Sequence, residues 1–173
     1  LPLPPRWALG YHQSRYSYLT STEVRDVAAK LRADAIPADA IWLDIDFQLG
    51  NRPFTVDPAA FPDFPAMVTD LTSAKLRTVV ITDPHPKQEV GYAPYDSGLA
   101  ADVFVRKSDG QLFVGNVWPG ASVFPDFGLQ SVRTWWGGLY GSFVGQGVAG
   151  FWNDMNEPAI FASSMPDDTP HRL

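Results

Sequence analysis

Four short apolar runs recur along the chain, and three of them end at an aspartate. They span residues 7–9, 40–46, 76–83 and 148–154. Short apolar runs that are bounded by polar or turn-forming residues are typical of buried strands. The pattern therefore predicts four short strands in the interior of the molecule.

Helical periodicity fills the intervals between the first three runs. Thr20-Ser21-Thr22-Glu23 has the spacing of a capping box, and apolar residues follow it at i, i+3, i+4 and i+7. Pro65 can open a second helix, which we expect to end near Ala74-Lys75. The order is therefore strand, helix, strand, helix, strand. The predicted apolar faces are Val24, Val27, Ala28 and Leu31 in the first helix, and Met67, Val68 and Leu71 in the second.

An insertion is predicted between the third and fourth strands, at residues 84–126. The runs begin at residues 40, 76 and 148, so the spacing doubles from 36 to 72 residues. Within the insertion, Asp102–Arg106 and Gln111–Val114 flank an Asp109-Gly110 turn, which predicts a β-hairpin. A further helix is predicted after the insertion by the apolar positions Val132, Trp136, Leu139 and Phe143.

Strand and helix units of about 35 residues predict an α/β fold with a parallel sheet, either doubly wound or part of a (β/α)8 barrel. Neither a G-x-G-x-x-G loop nor a phosphate-binding G-x-x-x-x-G-K loop occurs. The strand ends carry acidic residues instead. In a (β/α)8 barrel the carboxyl ends of the strands meet at one face, so these residues would share one pocket. They are Asp44, Asp46, Asp83, Asp154 and Glu157.

The composition supports one packed core and narrows the classes of function. Of the 173 residues, 45% are hydrophobic and 13% aromatic, which is enough apolar material for a domain of ordinary size. The net charge is -6 and no basic run could follow a phosphate backbone, so we expect no nucleic-acid partner. The chain has no Cys, which excludes a disulfide framework, a thiolate zinc site and a cysteine nucleophile.

Clustered carboxylates favour glycoside hydrolysis as the leading hypothesis. One carboxyl group can attack or stabilise the anomeric carbon while another protonates the leaving oxygen, and aromatic rings stack on the sugar. A site for a hard cation is the competing interpretation, since such cations also bind Asp and Glu. His12, His85 and His171 lie far apart in the sequence without metal-ligand spacing. We therefore expect neither a metal nor another cofactor.

The segment Phe151-Trp152-Asn153-Asp154-Met155-Asn156-Glu157-Pro158 resembles the nucleophile segment of glycoside hydrolase family 31, the α-glucosidase and α-xylosidase family. Other segments agree with the family in order, so the resemblance covers nearly the whole chain. It implies that residues 1–173 form the N-terminal half of the family's catalytic (β/α)8 barrel, a partial TIM barrel with strands one to four. The other matching segments are residues 4–10, 42–46, 54–55, 81–84, 118–120 and 124–127.

The resemblance also implies roles for individual residues. Asp154 would be the catalytic nucleophile of a retaining mechanism, and Glu157, a rival nucleophile by its spacing, would have a supporting role. Asp44 would bind sugar hydroxyls. Asp83 matches a pocket position, although an aspartate held before Pro84 is an equally good interpretation. The apolar walls of the sugar pocket would be Ile45, Ile81, Trp118, Trp152 and Met155, with core packing as the alternative for the two tryptophans.

The expected substrate is an α-glucoside or an oligosaccharide. The family's general acid/base lies on later strands, so we expect the remainder of a parent chain, or a second copy, to complete the barrel. The alternatives are a non-catalytic sugar-binding half-barrel, or an α-xylosidase, transglucosylase or α-glucan lyase of the same family. No stretch approaches the roughly 18 apolar residues that a membrane-spanning helix needs, so we expect no membrane partner.

Overall fold

A computed structural model describes residues 2–172; Leu1 and Leu173, the ends of the expected half-barrel domain, lie outside the described residues. The strands are β1 (His12–Gln13), β2 (Ala40–Leu43), β3 (Arg77–Thr82), β4 (Gly115–Val117), β5 (Gly120–Ser122) and β6 (Gly150–Asn153). The helices are α1 (Ser21–Ala33), α2 (Phe64–Ser73), α3 (Ala93–Ala100), α4 (Gln130–Leu139) and α5 (Gly141–Gly145). Three 3₁₀ turns cover Arg6–Leu9, Ile45–Phe47 and Leu49–Asn51.

The described chain divides into two compact units that alternate along the sequence. The first contains the residues up to Gly50, Thr55–Thr82 and Ser142–Trp152. The second contains Asn51–Phe54, Asp83–Gly141 and the residues from Asn153 onward. Each unit is thus assembled from segments that are distant in sequence.

Strands β1, β2, β3 and β6 form one four-stranded sheet, in the order β1-β2-β3-β6. β1 pairs in parallel with β2, and β2 pairs in parallel with β3, with Ala40 opposite Arg77. Next to β3, the N–H of Ala149 donates to the carbonyl of Thr78 at 2.9 Å. The parallel strands joined by helices confirm the predicted α/β class.

The capping residues of α1 behave nearly as the sequence predicts. The Thr20 hydroxyl accepts a hydrogen bond from the N–H of Glu23 at 3.1 Å. The Glu23 carboxylate reaches back one residue further than a standard capping box, to the N–H of Leu19 at 2.8 Å. The two bonds satisfy backbone donors that a helix start leaves unpaired.

Helices α1 and α2 bury their predicted apolar faces in the first unit, except for Val27, which is only partly buried. Val24, Met67 and Leu71 are at most 1% exposed. A ring cluster adds to this core: Phe47 stacks on Phe64 at 5.9 Å between ring centres. Phe143 meets both rings edge-on, with ring centres 6.0 Å from Phe47 and 5.9 Å from Phe64.

The second unit has two apolar clusters around the short antiparallel hairpin of β4 and β5. One cluster consists of Tyr92, Tyr95, Val103, Phe104, Val123 and Val132. The other consists of Val105, Phe113, Val117 and Phe124.

The short segment Asn51–Phe54 is bound to the second unit by polar and aromatic contacts. Arg52 Nη2 donates to the Glu89 carboxylate at 2.7 Å, and the hydroxyl of Tyr92 donates to the carbonyl of Pro53. Lys87 and Arg52 hold the pKa of Glu89 below its ordinary value. Phe54 packs edge-on against two rings of the unit, those of Trp136 at 4.9 Å and Tyr140 at 5.1 Å.

The prediction of a strand at residues 7–9 is wrong. These residues form the 3₁₀ turn Arg6–Leu9, and the first strand lies later, at His12–Gln13. The strand is polar, which explains why the hydrophobic pattern missed it. Its side chains find internal partners: His12 bonds to Trp42, and Gln13 Nε2 donates to the Tyr18 hydroxyl at 3.1 Å.

The insertion and the later helix differ from the predicted elements in detail. The hairpin expected around Asp109-Gly110 is present as a short antiparallel pairing: Arg106 and Leu112 form a bridge, and backbone hydrogen bonds join Lys107 to Gln111 and Phe113 to Val105. β4 and β5 form a second hairpin, which the sequence did not indicate. The single predicted helix is divided at Tyr140 into α4 and α5. Helix α3 was not predicted, because its sequence contains Pro, Ser and Gly and lacks an apolar stripe.

Candidate active site

A cavity of about 330 Å³ lies at the carboxyl ends of β1 and β2 in the first unit. This volume is within the range of small-molecule sites. The carboxyl ends of the strands are also where (β/α)8 barrels place their active sites, so the cavity is the candidate site of this unit. It is lined by Ser14, Arg15, Tyr16, Trp42, Asp44 and Trp152.

Asp44 follows β2 directly and belongs to the wall of this cavity. Side chains alternate along a strand, so Trp42 and Asp44 share one face while Leu43 is buried on the other. The Asp44 carboxylate accepts a hydrogen bond from the N–H of Ile45 at 2.7 Å. This bond caps the 3₁₀ turn Ile45–Phe47 and fixes the carboxylate at the cavity wall.

Aromatic side chains form a row through the first unit beside Asp44. Trp7 stacks on the ring of His12 at 5.9 Å, and His12 lies 5.8 Å from Trp42. Trp42 in turn lies 5.8 Å from Trp152. The cavity therefore combines a carboxylate with two indole rings, which suits a ligand that has both hydroxyl groups and an apolar face.

Ile45 and Ile81, which the resemblance assigns to the sugar pocket, are each 3% exposed. The carbonyl of Ile81 accepts a hydrogen bond from Gln48 Nε2 at 3.3 Å. Among the described residues, neither isoleucine side chain belongs to the lining of the cavity. Both are buried core residues.

Asp83 follows β3 and belongs to the second unit, where it is 2% exposed. Its Oδ2 lies 3.4 Å from Nε2 of His85, which is fully buried. Burial lowers the pKa of His85 to about 4. The contact gives Asp83 a buried polar neighbour two residues along the chain, beyond Pro84.

Asp154 follows β6 and is partly exposed. The residue before it, Asn153, accepts a hydrogen bond at 2.8 Å from the hydroxyl of Tyr140, which itself accepts one from Trp136 Nε1 at 3.2 Å. The bond to Tyr140 fixes the side chain of the residue that precedes Asp154. Asp154 itself is not among the described residues that line the 330 Å³ cavity.

The other predicted site residues of the second unit differ in their surroundings. Met155 packs against the apolar cluster that contains Val105 and Phe124, and its backbone φ is 61°. Trp118 lies in the turn between β4 and β5, is 45% exposed, and meets Phe161 edge-on at 4.8 Å. Glu157 is exposed and lines a different, mostly apolar cavity of about 380 Å³.

Sequence reasoning missed three residues of the cavity wall, Ser14, Arg15 and Tyr16. They follow β1 directly. Asp44 and Asp83 were candidates for the same reason, because each comes directly after a strand. The misplaced first strand concealed them, because its expected end lay at Leu9. A search for polar and aromatic residues after a polar strand would have found them.

No group of three or more His, Asp and Glu side chains within residues 2–172 could hold a metal ion. In the same range, no helix is long and apolar enough to cross a membrane.

Comparison with known proteins gives the class of the fold. A family model described as "Glycosyl hydrolases family 31 TIM-barrel domain" matches residues 1–172. The chain therefore belongs to this family, and the predicted partial TIM barrel is confirmed.

Three proteins that are similar to this chain have names that include glucosidase. Alpha-glucosidase 2 of Bacillus thermoamyloliquefaciens is 46% identical over 161 residues, which are 93% of this chain and 20% of that protein. Neutral alpha-glucosidase AB of Homo sapiens is 39% identical over 92% of this chain and 17% of its own. A crystal structure of the glucosidase II alpha subunit with bound DNJ superposes with a TM-score of 0.90 and 37% identity, over 95% of this chain and 18% of that one. The chain thus spans about a fifth of the length of the curated relatives it matches.

Proposed function

We propose that this chain is the N-terminal half of the catalytic barrel of a retaining α-glucosidase-like hydrolase. The substrate would carry a terminal α-linked glucosyl residue. The observation that carries the proposal is the cavity at the carboxyl ends of the strands, in which Asp44 stands beside Trp42 and Trp152, in a chain of a glycoside hydrolase family. The names of similar proteins, which are α-glucosidases, support the choice of sugar.

Each candidate residue has a role in this proposal. Asp154 attacks the anomeric carbon as the glycosidic C–O bond breaks and the leaving oxygen takes a proton from the general acid. Water then hydrolyses the covalent glycosyl-enzyme with retention of configuration and releases the Asp154 carboxylate. Asp44 accepts hydrogen bonds from sugar hydroxyls, and charge-assisted bonds of this kind are among the stronger ones in proteins. Glu157 has a supporting role. The resemblance implies a pocket position for Asp83, whose side chain is buried beside His85. The resemblance implies apolar walls from Ile45, Ile81, Trp118, Trp152 and Met155; of these, Trp152 lines the cavity described above.

The remaining parts of the machinery lie elsewhere in this proposal. The general acid/base belongs to later strands, which the rest of a longer protein supplies. That remainder, or a second copy of this chain, completes the barrel. Residues 84–126 are an insertion after β3. The proposed reaction uses two carboxyl groups and needs no cofactor.

Covalent labelling of the full-length protein tests the proposal. A mechanism-based fluorinated α-glucosyl fluoride, followed by peptide mass spectrometry, should modify Asp154. Asp154→Ala should lose turnover by several orders of magnitude, because the covalent route is removed. Glu157→Gln is the matched control and should retain the label at Asp154.

Two outcomes contradict the proposed mechanism. A label on Glu157, or near-normal activity of Asp154→Ala, would show that the nucleophile is assigned wrongly. Reversible sugar binding without labelling or turnover would favour a non-catalytic sugar-binding module. The products formed in water alone and in the presence of an acceptor sugar would distinguish a hydrolase from a transglucosylase or a lyase.

A further inference from the structure

His12 lies on β1 between two indole rings of the first unit. Its Nε2 is 3.0 Å from the carbonyl oxygen of Trp7, and its Nδ1 is 3.1 Å from Nε1 of Trp42. The imidazole is only partly buried, and its ring lies against both indoles. His12 thus contacts Trp42, which is part of the wall of the candidate cavity.

These two contacts determine the protonation of the ring. An indole N–H can only donate, so Nδ1 of His12 must be the acceptor for Trp42. A carbonyl oxygen can only accept, so Nε2 must carry the proton that bonds to Trp7. The neutral Nε2–H tautomer satisfies both contacts, whereas the other tautomer and the imidazolium each lose the bond from Trp42.

The bond from Trp42 bears on ligand binding because Trp42 lines the cavity two residues before Asp44. The indole lies between the rings of His12 and Trp152, and its N–H is directed at His12. A ring that stacks on a sugar must be held at a fixed angle to act through its face. Loss of the acceptor would leave a partly buried N–H unpaired and would let the ring turn.

We propose that His12 is a positioning residue: as the Nε2–H tautomer, it holds the Trp42 indole at the angle at which it walls the sugar site beside Asp44. The proposal rests on the function proposed above. His12 acts through Trp42 and does not itself line the cavity among the described residues.

An isosteric pair of variants in the full-length protein tests this role. His12→Asn places its Oδ1 where Nδ1 lies and keeps an acceptor, whereas His12→Leu has nearly the same shape without one. The iminosugar 1-deoxynojirimycin serves as the probe, with its Kd measured by calorimetry. We expect His12→Leu to bind it about two- to tenfold more weakly than His12→Asn, the range for one neutral hydrogen bond.

A second background shows whether the effect passes through Trp42. Trp42→Phe keeps an aromatic ring but removes the N–H donor, so in that background the two His12 variants should bind the probe equally. The proposal would be overturned if the two His12 variants bound the probe equally in the wild-type background, or if they still differed in the Trp42→Phe background.

Nuclear magnetic resonance separates this proposal from the proposed function. In the ¹⁵N-histidine spectrum, we expect Nε2 of His12 to be protonated and Nδ1 to be unprotonated; the reverse would overturn the proposal. If the protein labels Asp154 and binds the probe while the Asn and Leu variants agree, the glycosidase stands and the positioning role fails. If the wild-type protein neither binds the probe nor hydrolyses an α-glucoside, the sugar site fails and this role for His12 fails with it, even where the tautomer is as expected.

Discussion

His85 is a residue whose titration is governed by burial. Its side chain is fully buried, and removal from water disfavours the charged imidazolium. Burial therefore lowers the pKa of His85 to about 4, from an ordinary value of 6.5. The ring is neutral at pH 7, although the Asp83 carboxylate lies 3.4 Å away.

We expect the free energy of unfolding to fall as the pH is lowered from 6.5 to about 4. The pKa in the folded protein is below that in the unfolded chain, so the unfolded chain binds an additional proton across this interval. The full effect is about 3 kcal/mol. Urea denaturation at several pH values measures it, with His85→Gln as the variant that lacks this contribution. An identical pH dependence in the variant, or an imidazolium at pH 7, would mean that Asp83 outweighs burial.

Among the secondary-structure elements, two helices contain glycines with opposite surroundings. At Gly98 in α3, a Cβ atom would overlap the ring of Phe104 and lie 2.9 Å from Trp135 Cζ2. At Gly137 in α4, a Cβ atom would meet no heavy atom within 4 Å. The first glycine allows close ring packing, whereas the second only weakens its helix.

Alanine substitutions should therefore have opposite effects at the two positions. We expect Gly98→Ala to lower the free energy of unfolding by about 1 to 3 kcal/mol through overpacking. Gly137→Ala should raise it by about 0.5 to 1 kcal/mol through helix propensity. Thermal denaturation of both variants beside the parent protein measures the difference. Stabilisation by Gly98→Ala would show that the rings of Phe104 and Trp135 move aside without cost.

The elements also show which parts of the fold and the site a sequence reveals. Helix α1 was predictable because its cap and its apolar face agree with each other. β1 was not, because its side chains are polar and their partners, such as Trp42, lie far away in sequence. The same limit applies to the cavity: Asp44 follows an apolar strand and could be predicted, whereas Arg15 follows the polar one and could not.

At the scale of the whole molecule, the number of strands in the sheet determines how the chain behaves on its own. The described chain supplies four of its strands, with β1 and β6 at the edges, whereas a (β/α)8 barrel closes with eight. Unpaired strand edges recruit other strands. A barrel interior is packed from all of its strands, so four of them leave apolar side chains uncovered.

We therefore expect the 173-residue chain on its own to be inactive on α-glucosides and to associate with itself or with a complementary half. Lack of the general acid alone should cost about 10² to 10⁴ in rate. Light scattering at low concentration and an assay free of host enzymes measure the two properties. A stable monomer that binds no hydrophobic dye, or one that turns over substrate, would contradict the expectation.

The alternation of the two units along the sequence has a consequence for synthesis on the ribosome. The first unit needs Ser142–Trp152, which brings in β6 and places Phe143 against Phe47 and Phe64. Until that segment leaves the exit tunnel, the ring cluster is incomplete and β3 is paired on one side only, with β2. The growing chain therefore exposes apolar surface until this segment has emerged, and a nascent chain stalled before residue 142 would present that surface to chaperones.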